Sequence, residues 1–305
     1  MNLFRKIYKK GLSVLRREID RYVKKNIITE THKTSAILDK QSIINDHPRD
    51  QKIVVSLTTF GKRIDSVYIT IESIARQTLK PDVVILWLAE NEFNRNNIPI
   101  TLRKFEEKGL TIDFYAAIGP YKKLIPTLKK YPEEIIITID DDMIYPNTLI
   151  EKLIKNHDKY PDCICCNQAR TITLDKNNNP KPYCKWTRIW QCESPSYEYI
   201  PIGVGGVLYF PGCFDGSVTD EDLFLKLSPT NDDLWFKILS LKKGVKTMVI
   251  NELDPSDFIP LDSSNHEALA VENVGEKMNN PQFMALISFY NINLSKLFIS
   301  KNKVI

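Results

Sequence analysis

Between residues 52 and 139 the chain alternates four apolar runs with segments that have a helical pattern. The runs are "KIVVSL" (52–57), "DVVILWLA" (82–89), "LTIDFY" (110–115) and "EIIITI" (134–139). The intervening helical segments are 66–77, "PITLRKFEEKG" closed by Gly109, and "YKKLIPTLKKY" interrupted by Pro126. Strands this apolar are buried on both faces, and parallel strands need crossover helices between them. We therefore predict an α/β fold with a mainly parallel sheet flanked by helices.

Three carboxylates, Asp140, Asp141 and Asp142, follow directly after the fourth apolar run. In an open parallel sheet, ligands bind at the carboxyl ends of the strands. Like charges this close repel one another, and a hard divalent cation that prefers carboxylate oxygens relieves the repulsion. Side chains alternate in extended backbone, so Asp140 and Asp142 are expected on one side and Asp141 on the other. The alternative is a solvated acidic turn that caps the helix following Pro146.

A second acidic pair, Asp232 and Asp233, lies at the start of a predicted helix with Asn231 as its N-cap. One interpretation is a general base that takes a proton from an attacking hydroxyl. The alternative is capping alone, because a helix N-terminus stabilises carboxylates. Between the two acidic sites, the glycines of "PIGVGGVLYFPG" allow backbone to approach a ligand, but their spacing is not that of a dinucleotide-binding loop.

The N-terminal segment, residues 1–25, has nine basic and two acidic side chains, a net charge of +7 in a chain whose total is +4. The remainder is therefore about −3, which argues against nucleic acid as a partner. Apolar residues recur in this segment at three- and four-residue steps, which predicts a basic amphipathic helix. Such a helix can lie in a membrane interface or can dock on its own domain or on another subunit. Residues 29–51 are polar and are predicted to be a linker.

The location in the cell is predicted from what the sequence lacks. No window approaches the ~18 apolar residues of a membrane span, and no apolar secretory region is present. The six cysteines, all between Cys163 and Cys213, lack zinc-site spacing and are expected to be reduced. The expected location is cytoplasmic, peripheral at the inner face of the cell membrane.

The order of these features resembles nucleotide-sugar glycosyltransferases of the GT-A fold, in particular bacterial enzymes that build capsule, O-antigen or other surface polysaccharides. The features are a first strand followed by "TTF", βαβ units, the acidic triplet, a glycine-rich segment and "NDD" at a helix start, over roughly residues 52–255. The implied organisation is a basic helix and linker over residues 1–50, a GT-A catalytic domain over 51–260, and a helical tail over 261–305.

The resemblance implies a donor site and a metal site. Asp140 and Asp142 match the pair that holds Mn²⁺ or Mg²⁺ on the donor diphosphate, and His266 is a candidate third ligand or an ordinary surface histidine. Lys122 and Lys123 are candidates to add positive charge at the phosphates, or form a solvated helix start. The residues expected to contact the nucleotide sugar are Thr58, Thr59, Phe60, Arg63, Glu90, Lys122, Lys123, Asp140 and Asp141.

The implied reaction is transfer of a sugar from a nucleoside-diphosphate sugar, UDP-hexose in particular, to a saccharide or lipid-linked oligosaccharide acceptor. Asp233 matches the catalytic base of inverting members and Asp232 would touch the acceptor, although a retaining outcome stays open. Two other classes remain possible at this point. One is a haloacid-dehalogenase-like phosphotransferase, in which the first Asp of D-x-D is the nucleophile. The other is a non-catalytic sugar- or metal-binding module.

Overall fold

The structure is a computed structural model that describes residues 2–47, 49–261 and 278–299. Its helices are α1 (Asn2–Leu38), α2 (Val67–Ala75), α3 (Ile100–Glu106), α4 (Ile125–Lys130), α5 (Leu149–Lys159), α6 (Glu221–Leu227), α7 (Asp232–Lys243), α8 (Asn279–Phe289) and α9 (Leu294–Ile299). Its strands are β1 (Ile53–Thr58), β2 (Val83–Ala89), β3 (Leu110–Tyr115), β4 (Ile135–Thr138), β5 (Met143–Ile144), β6 (Cys163–Cys166), β7 (Ala169–Thr171), β8 (Thr187–Ile189), β9 (Tyr199–Pro201), β10 (Val207–Tyr209), β11 (Lys246–Val249) and β12 (Ile259–Pro260).

Within the described residues, seven strands form the central sheet in the order β11-β6-β10-β4-β1-β2-β3. The pairs of β1 with β2, β1 with β4, β2 with β3, and β6 with β11 are parallel. Strand β10 runs antiparallel to both of its neighbours, β4 and β6. The prediction of an α/β fold with a mainly parallel sheet flanked by helices is confirmed.

Alternate side chains of the central strands enter two separate cores. Val55 and Ile137 lie in one hydrophobic cluster with residues of α2, α3 and α5. Val54 and Ile136 lie in a second cluster, which includes residues of α7 and α8. Because each strand has period-2 alternation and both faces are covered, the strands need apolar residues at every position. The four predicted strands therefore match β1 to β4 to within a residue or two.

Helix α1 is longer than the sequence predicts. It continues to Leu38, so the prediction of a linker beginning at residue 29 is wrong for residues 29–38. The end of the helix is docked on the domain, where Ala36 is buried and its carbonyl accepts a hydrogen bond from Lys108 Nζ at 2.9 Å. Packing against α2 and α3 thus stabilises a segment whose own apolar pattern is weak.

A small antiparallel sheet lies beside the carboxyl edge of the central sheet. Within it, β7 pairs with β8 on one side and with β9 on the other. The turn after β9, Gly203–Gly205, is a 3₁₀ helix that leads into β10. Because β10 pairs with β4, this route brings the glycine-rich segment next to the end of β4, where the acidic triplet begins.

Candidate functional site

A pocket of about 940 Å³ opens at the carboxyl ends of β1, β2 and β4 and is closed on the other side by the start of α7. Its lining includes eleven of the thirteen residues that the sequence singles out for binding or catalysis, namely Thr58, Thr59, Phe60, Arg63, Lys122, Lys123, Asp140, Asp141, Asp142, Asp232 and Asp233. Glu90 is exposed and is not part of the lining, whereas Asn91 and Glu92 are. His266 lies outside the described residues.

Asp141, the middle residue of the acidic triplet (Asp140–Asp142), is turned into the protein. Thr59 Oγ1 donates to its Oδ2 at 2.5 Å and Arg63 Nη1 donates to its Oδ1 at 2.9 Å. Thr70 Oγ1 also donates to the Asp141 carbonyl at 2.8 Å, which ties the triplet to α2. Burial raises the pKa of Asp141 above its usual value, although the charge of Arg63 opposes the shift. This carboxylate therefore fixes the shape of the loop that presents its two neighbours.

Asp142 shares the same guanidinium, with Arg63 Nη1 3.2 Å from its Oδ2. Burial, followed by the charges of Asp140 and Asp141, raises the pKa of Asp142 to about 7. The resemblance implies that Arg63 contacts the nucleotide sugar. In the structure its side chain is buried and its guanidinium lies on the aspartates.

Lys123 connects the acidic triplet to the helix that carries the second acidic pair. Its Nζ lies 3.0 Å from Asp140 Oδ1 and 3.2 Å from Asp232 Oδ2. Burial opposes the charged form, yet Asp140, Asp232 and Asp233 together raise the pKa of Lys123 well above its usual value. A permanent positive charge is thus held between two carboxylates from opposite sides of the pocket. Neighbouring Lys122 is buried as well, which lowers its pKa, and its Nζ donates to the Gly119 carbonyl at 3.2 Å.

Gly203 lies where these groups meet. A Cβ added at this position would be 2.7 Å from Lys123 Nζ and 3.2 Å from Asp140 Oδ1. The backbone N–H of Gly203 also donates to Asp233 Oδ2 at 3.3 Å. The lysine, the triplet and the second acidic pair can therefore approach this closely because residue 203 has no side chain.

The second acidic pair occupies the first turn of α7, as predicted, with the Asn231 side chain accepting from Leu234 N at 3.0 Å. Burial, together with the charge of Asp232 and more weakly that of Asp140, raises the pKa of Asp233 to about 8, although Lys123 acts in the opposite direction. A carboxyl group with a pKa near the working pH is suited to proton transfer.

Helix α8 supports the loop before α7, a role that the sequence pattern does not reveal. Asn231 Nδ2 donates to Asn279 Oδ1 at 2.6 Å, and Asn279 itself lines the pocket. Gln282 Oε1 accepts from Ser228 Oγ and from Thr230 N, each at 3.1 Å. These bonds fix the loop that places Asp232 and Asp233, and they come from beyond residue 260, the predicted end of the catalytic domain.

Three further lining residues, Arg170, Tyr183 and Arg188, come from the small sheet and the turn next to it. They are isolated in sequence, so no spacing pattern indicates them. By contrast, two tryptophans of the same segment serve packing: Trp186 is buried against Phe283, and Trp190 packs against Phe258.

The donor set suits a divalent cation that is shared with a ligand. Among residues 2–47, 49–261 and 278–299, no group of three or more His, Cys, Asp or Glu side chains is arranged to hold a metal alone. Mg²⁺, however, commonly binds through one or two carboxylates plus substrate phosphates and water. Asp140 and Asp142 each use one oxygen in an ion pair, and six carboxylates line the site, with Arg63 and Lys123 paired to the aspartates among them. The residues present therefore fit a cation bound together with a phosphate ligand.

No protein-family model and no curated protein sequence matches the chain. Several solved structures are similar to it. One is the mannosyltransferase PcManGT from Pyrobaculum calidifontis in complex with GDP-Man and Mn²⁺, with 12% identity over 90% of this chain and 75% of that chain and a TM-score of 0.49. Another is S. aureus TarS 1–349 in complex with UDP, with 13% identity over 84% of this chain and 76% of that chain and a TM-score of 0.45.

A third similar structure is 4-diphosphocytidyl-2C-methyl-D-erythritol synthase, with 9% identity over 75% of this chain and all of that chain and a TM-score of 0.41. At 9–13% sequence identity, these similarities concern the backbone fold alone.

Proposed function

We propose that this protein is a metal-dependent glycosyltransferase that moves a sugar from a nucleoside-diphosphate sugar to a hydroxyl-bearing acceptor. One observation carries the proposal: a single pocket joins the acidic triplet at the end of β4 to the Asp232–Asp233 pair at the start of α7. Diphosphate binding needs the first group, and activation of a hydroxyl needs a base such as the second provides.

The part of the pocket next to the acidic triplet would bind the nucleotide-sugar donor. Asp140 and Asp142 would hold Mn²⁺ or Mg²⁺, which when bound stabilises the negative charge that develops on a diphosphate leaving group. Asp141 and Thr59 hold the loop in place, and Lys122 and Lys123 would add positive charge near the phosphates. Thr58 and Phe60 also line this side, which is where we place the nucleotide, UDP in the first instance, while the buried Arg63 acts through the acidic triplet that it pairs with.

The acceptor side is organised around Asp233. Its carboxylate accepts from the Gly203 N–H, which stabilises the ionised form, while burial and Asp232 favour the protonated form. The result is a base that takes up a proton from an acceptor hydroxyl at a pH near 8. Attack opposite the diphosphate in one displacement would invert the anomeric centre. The acceptor would be a saccharide or a lipid-linked oligosaccharide, as in the synthesis of a surface polysaccharide.

Two variants test the assignment. Asp142→Asn should abolish the Mn²⁺-dependent part of UDP binding, measured by calorimetry. Asp233→Asn should bind UDP and Mn²⁺ normally yet transfer sugar at least ~100-fold more slowly, because a general base acts in the transition state. Asp222→Asn is the matched control, since Asp222 is exposed and outside the pocket lining. Full activity of Asp233→Asn would remove the proposed base.

The product released from a panel of nucleotide sugars separates the functional classes. A glycosyltransferase releases nucleoside diphosphate, and its rate increases when an acceptor is added. A phosphotransferase of the haloacid-dehalogenase type releases inorganic phosphate, and a binding module releases neither. Release of phosphate, with Asp140 required as the nucleophile, would refute the proposal.

We also propose that the first part of α1 attaches the protein to an anionic membrane surface. Leu15, Ile19, Tyr22 and Val23 recur at helical steps and are exposed, Tyr22 to 69%, and basic side chains such as Arg16 and Arg21 are exposed beside them. Apolar area and positive charge on one helix favour binding to anionic headgroups. Among the described residues, no helix is long and apolar enough to cross a membrane.

Vesicle co-sedimentation tests this attachment in the full chain. The double variant Ile19→Asp/Val23→Asp should lose binding to vesicles that contain phosphatidylserine. Ile100→Asp is the control, since Ile100 is more exposed than either residue, at 68%, but lies at the start of α3. If Ile100→Asp lost as much vesicle binding as the double variant, or if the wild type did not bind vesicles, the membrane role would be contradicted.

A further inference from the structure

Arg170 and Arg188 (the arginine pair) lie directly opposite each other in the antiparallel pairing of β7 with β8. Two like charges at directly opposed positions destabilise a sheet. Both residues also line the pocket. A charge arrangement that costs stability and faces a ligand site suggests a binding function.

The contacts of the arginine pair orient the side chains and leave their charge uncompensated. Arg170 Nη1 donates to the Trp186 carbonyl at 2.9 Å, and its guanidinium carbon lies 4.8 Å from the centre of the Tyr183 ring. Burial and the charge of Arg170 lower the pKa of Arg188. In the part of the chain that the structure describes, neither arginine forms an ion pair with a carboxylate. An anionic ligand would therefore relieve the repulsion between them.

The arginine pair belongs to the side of the pocket that holds the base. Tyr183 connects the two groups: its ring contacts the Arg170 guanidinium, and its backbone N–H donates to Asn280 Oδ1 at 2.7 Å, next to Asn279, which binds the α7 cap Asn231. Burial, followed by the charge of Asp233, raises the pKa of Tyr183 to about 12, while Arg170 and Arg188 both act in the opposite direction. The phosphate-side cations, Lys122 and Lys123, come instead from the turn after β3. A group bound by the arginine pair is thus placed for the acceptor.

We propose that the acceptor carries an anionic group, a phosphate or a carboxylate, that Arg170 and Arg188 bind while a neighbouring hydroxyl is presented to Asp233. Guanidinium groups recognise both kinds of oxyanion through paired, charge-assisted hydrogen bonds. The negatively charged surroundings of Asp233 would otherwise repel such an acceptor, so a dedicated pair of cations is needed. This inference rests on the proposed function.

The test compares glucose 6-phosphate, glucuronate and glucose as probes that differ in charge. Their affinities for the full chain are measured by ligand-observed NMR in the presence of UDP and Mg²⁺, which is diamagnetic. At least one anionic probe should bind ~10-fold or more tightly than glucose, and Arg188→Gln should remove that advantage. Lys185→Gln is the control, because Lys185 is exposed, close in sequence to Arg188 and absent from the lining, and it changes the net charge equally. Whether phosphate or carboxylate is preferred follows from the first two probes.

Three results would overturn the inference: equal affinity for charged and neutral probes, no loss in a folded Arg188→Gln protein, or an equal loss in Lys185→Gln. UDP affinity is measured for each variant as a separate readout. If Arg188→Gln weakens UDP as much as it weakens the anionic probe, the arginine pair serves the donor diphosphate, and the inference fails while the proposed function stands. Failure of the wild type to bind UDP with Mn²⁺ would instead refute the proposed function.

Discussion

Lys237 is a buried lysine that is expected to lower the stability of the folded protein. It lies on α7 one turn after Asp233, is 1% exposed, and its Nζ lies 3.3 Å from Thr247 Oγ1. Burial lowers the pKa of Lys237 from 10.5 to about 7, although the nearby thiols of Cys166 and Cys163 oppose the shift. We expect replacement of this lysine by an apolar residue of similar volume to stabilise the protein.

The magnitude follows from the two pKa values of the amine. Between its pKa of 10.5 in the unfolded chain and about 7 in the folded protein, each pH unit corresponds to ~1.4 kcal/mol. Burial of the lysine therefore costs about 5 kcal/mol of unfolding free energy at or below pH 7. Lys237→Met removes that cost but leaves the buried Thr247 hydroxyl without this partner, a loss of about 1–3 kcal/mol. The expected gain in unfolding free energy is therefore about 2–4 kcal/mol for Lys237→Met, and about 5 kcal/mol for the double variant Lys237→Met/Thr247→Val, which also removes the hydroxyl.

The gain should depend on pH in one direction. From pH 7 to 10.5 the unfolded lysine keeps its proton while the folded one has lost it, so the wild type becomes more stable as the pH rises. The double variant should therefore exceed the wild type in unfolding free energy by about 5 kcal/mol at pH 7 but by only about 2 kcal/mol at pH 9. Below pH 7 the lysine is protonated in both the folded and the unfolded wild type, so the difference in unfolding free energy stays constant.

Guanidinium denaturation followed by circular dichroism at pH 7 and pH 9, under reducing conditions, measures these differences. Lys243→Met is the matched control, because Lys243 is on the same helix but exposed, and it should change stability by less than ~0.5 kcal/mol. A destabilised double variant, or a gain that is the same at both pH values, would refute the reasoning.

Three further predictions concern the pocket. The transfer rate should rise with pH towards about 8, because burial keeps the Asp233 carboxyl protonated below its pKa; a rate that is flat from pH 6 to 9 would contradict this. Gly203→Ala places a Cβ 2.7 Å from Lys123 Nζ and should slow transfer ~10-fold or more with little change in melting temperature, whereas Gly216→Ala, with nothing within 4 Å, should be neutral in both assays. Asn279→Ala removes a 2.6 Å hydrogen bond to the loop before α7 and should cost about 1 kcal/mol in denaturation and lower kcat; unchanged kcat would show that α8 does not position the base.

The strands and the acidic sites are predictable from sequence because they depend on local patterns. Runs such as "VVILWLA" are apolar at every position, which is typical of strands covered on both faces. The triplet's position follows from the end of such a run, and the start of α7 from the cap at Asn231. Each of these signals lies within about ten residues of the feature that it predicts.

The features that the sequence does not predict depend on contacts between distant parts of the chain. Arg170 and Arg188 meet through strand pairing across an 18-residue separation, and neither has a sequence signal of its own. Residues 29–38 are helical because they pack on α2 and α3, which overrides a polar and weakly periodic sequence. Lys123 could be named as a candidate, but its position between Asp140 and Asp232 could not.

The support of α7 by α8 has a consequence for protein synthesis. The acidic triplet and its partners Arg63 and Thr59 are translated early, whereas Asn279 and Gln282 follow the triplet by more than 130 residues. Chains fold progressively from the N-terminus as they leave the ribosome. We therefore expect a nascent chain to form the loop of the acidic triplet well before the Asp232–Asp233 pair is fixed in place, so that the pocket is complete only after α8 has left the ribosome and has docked.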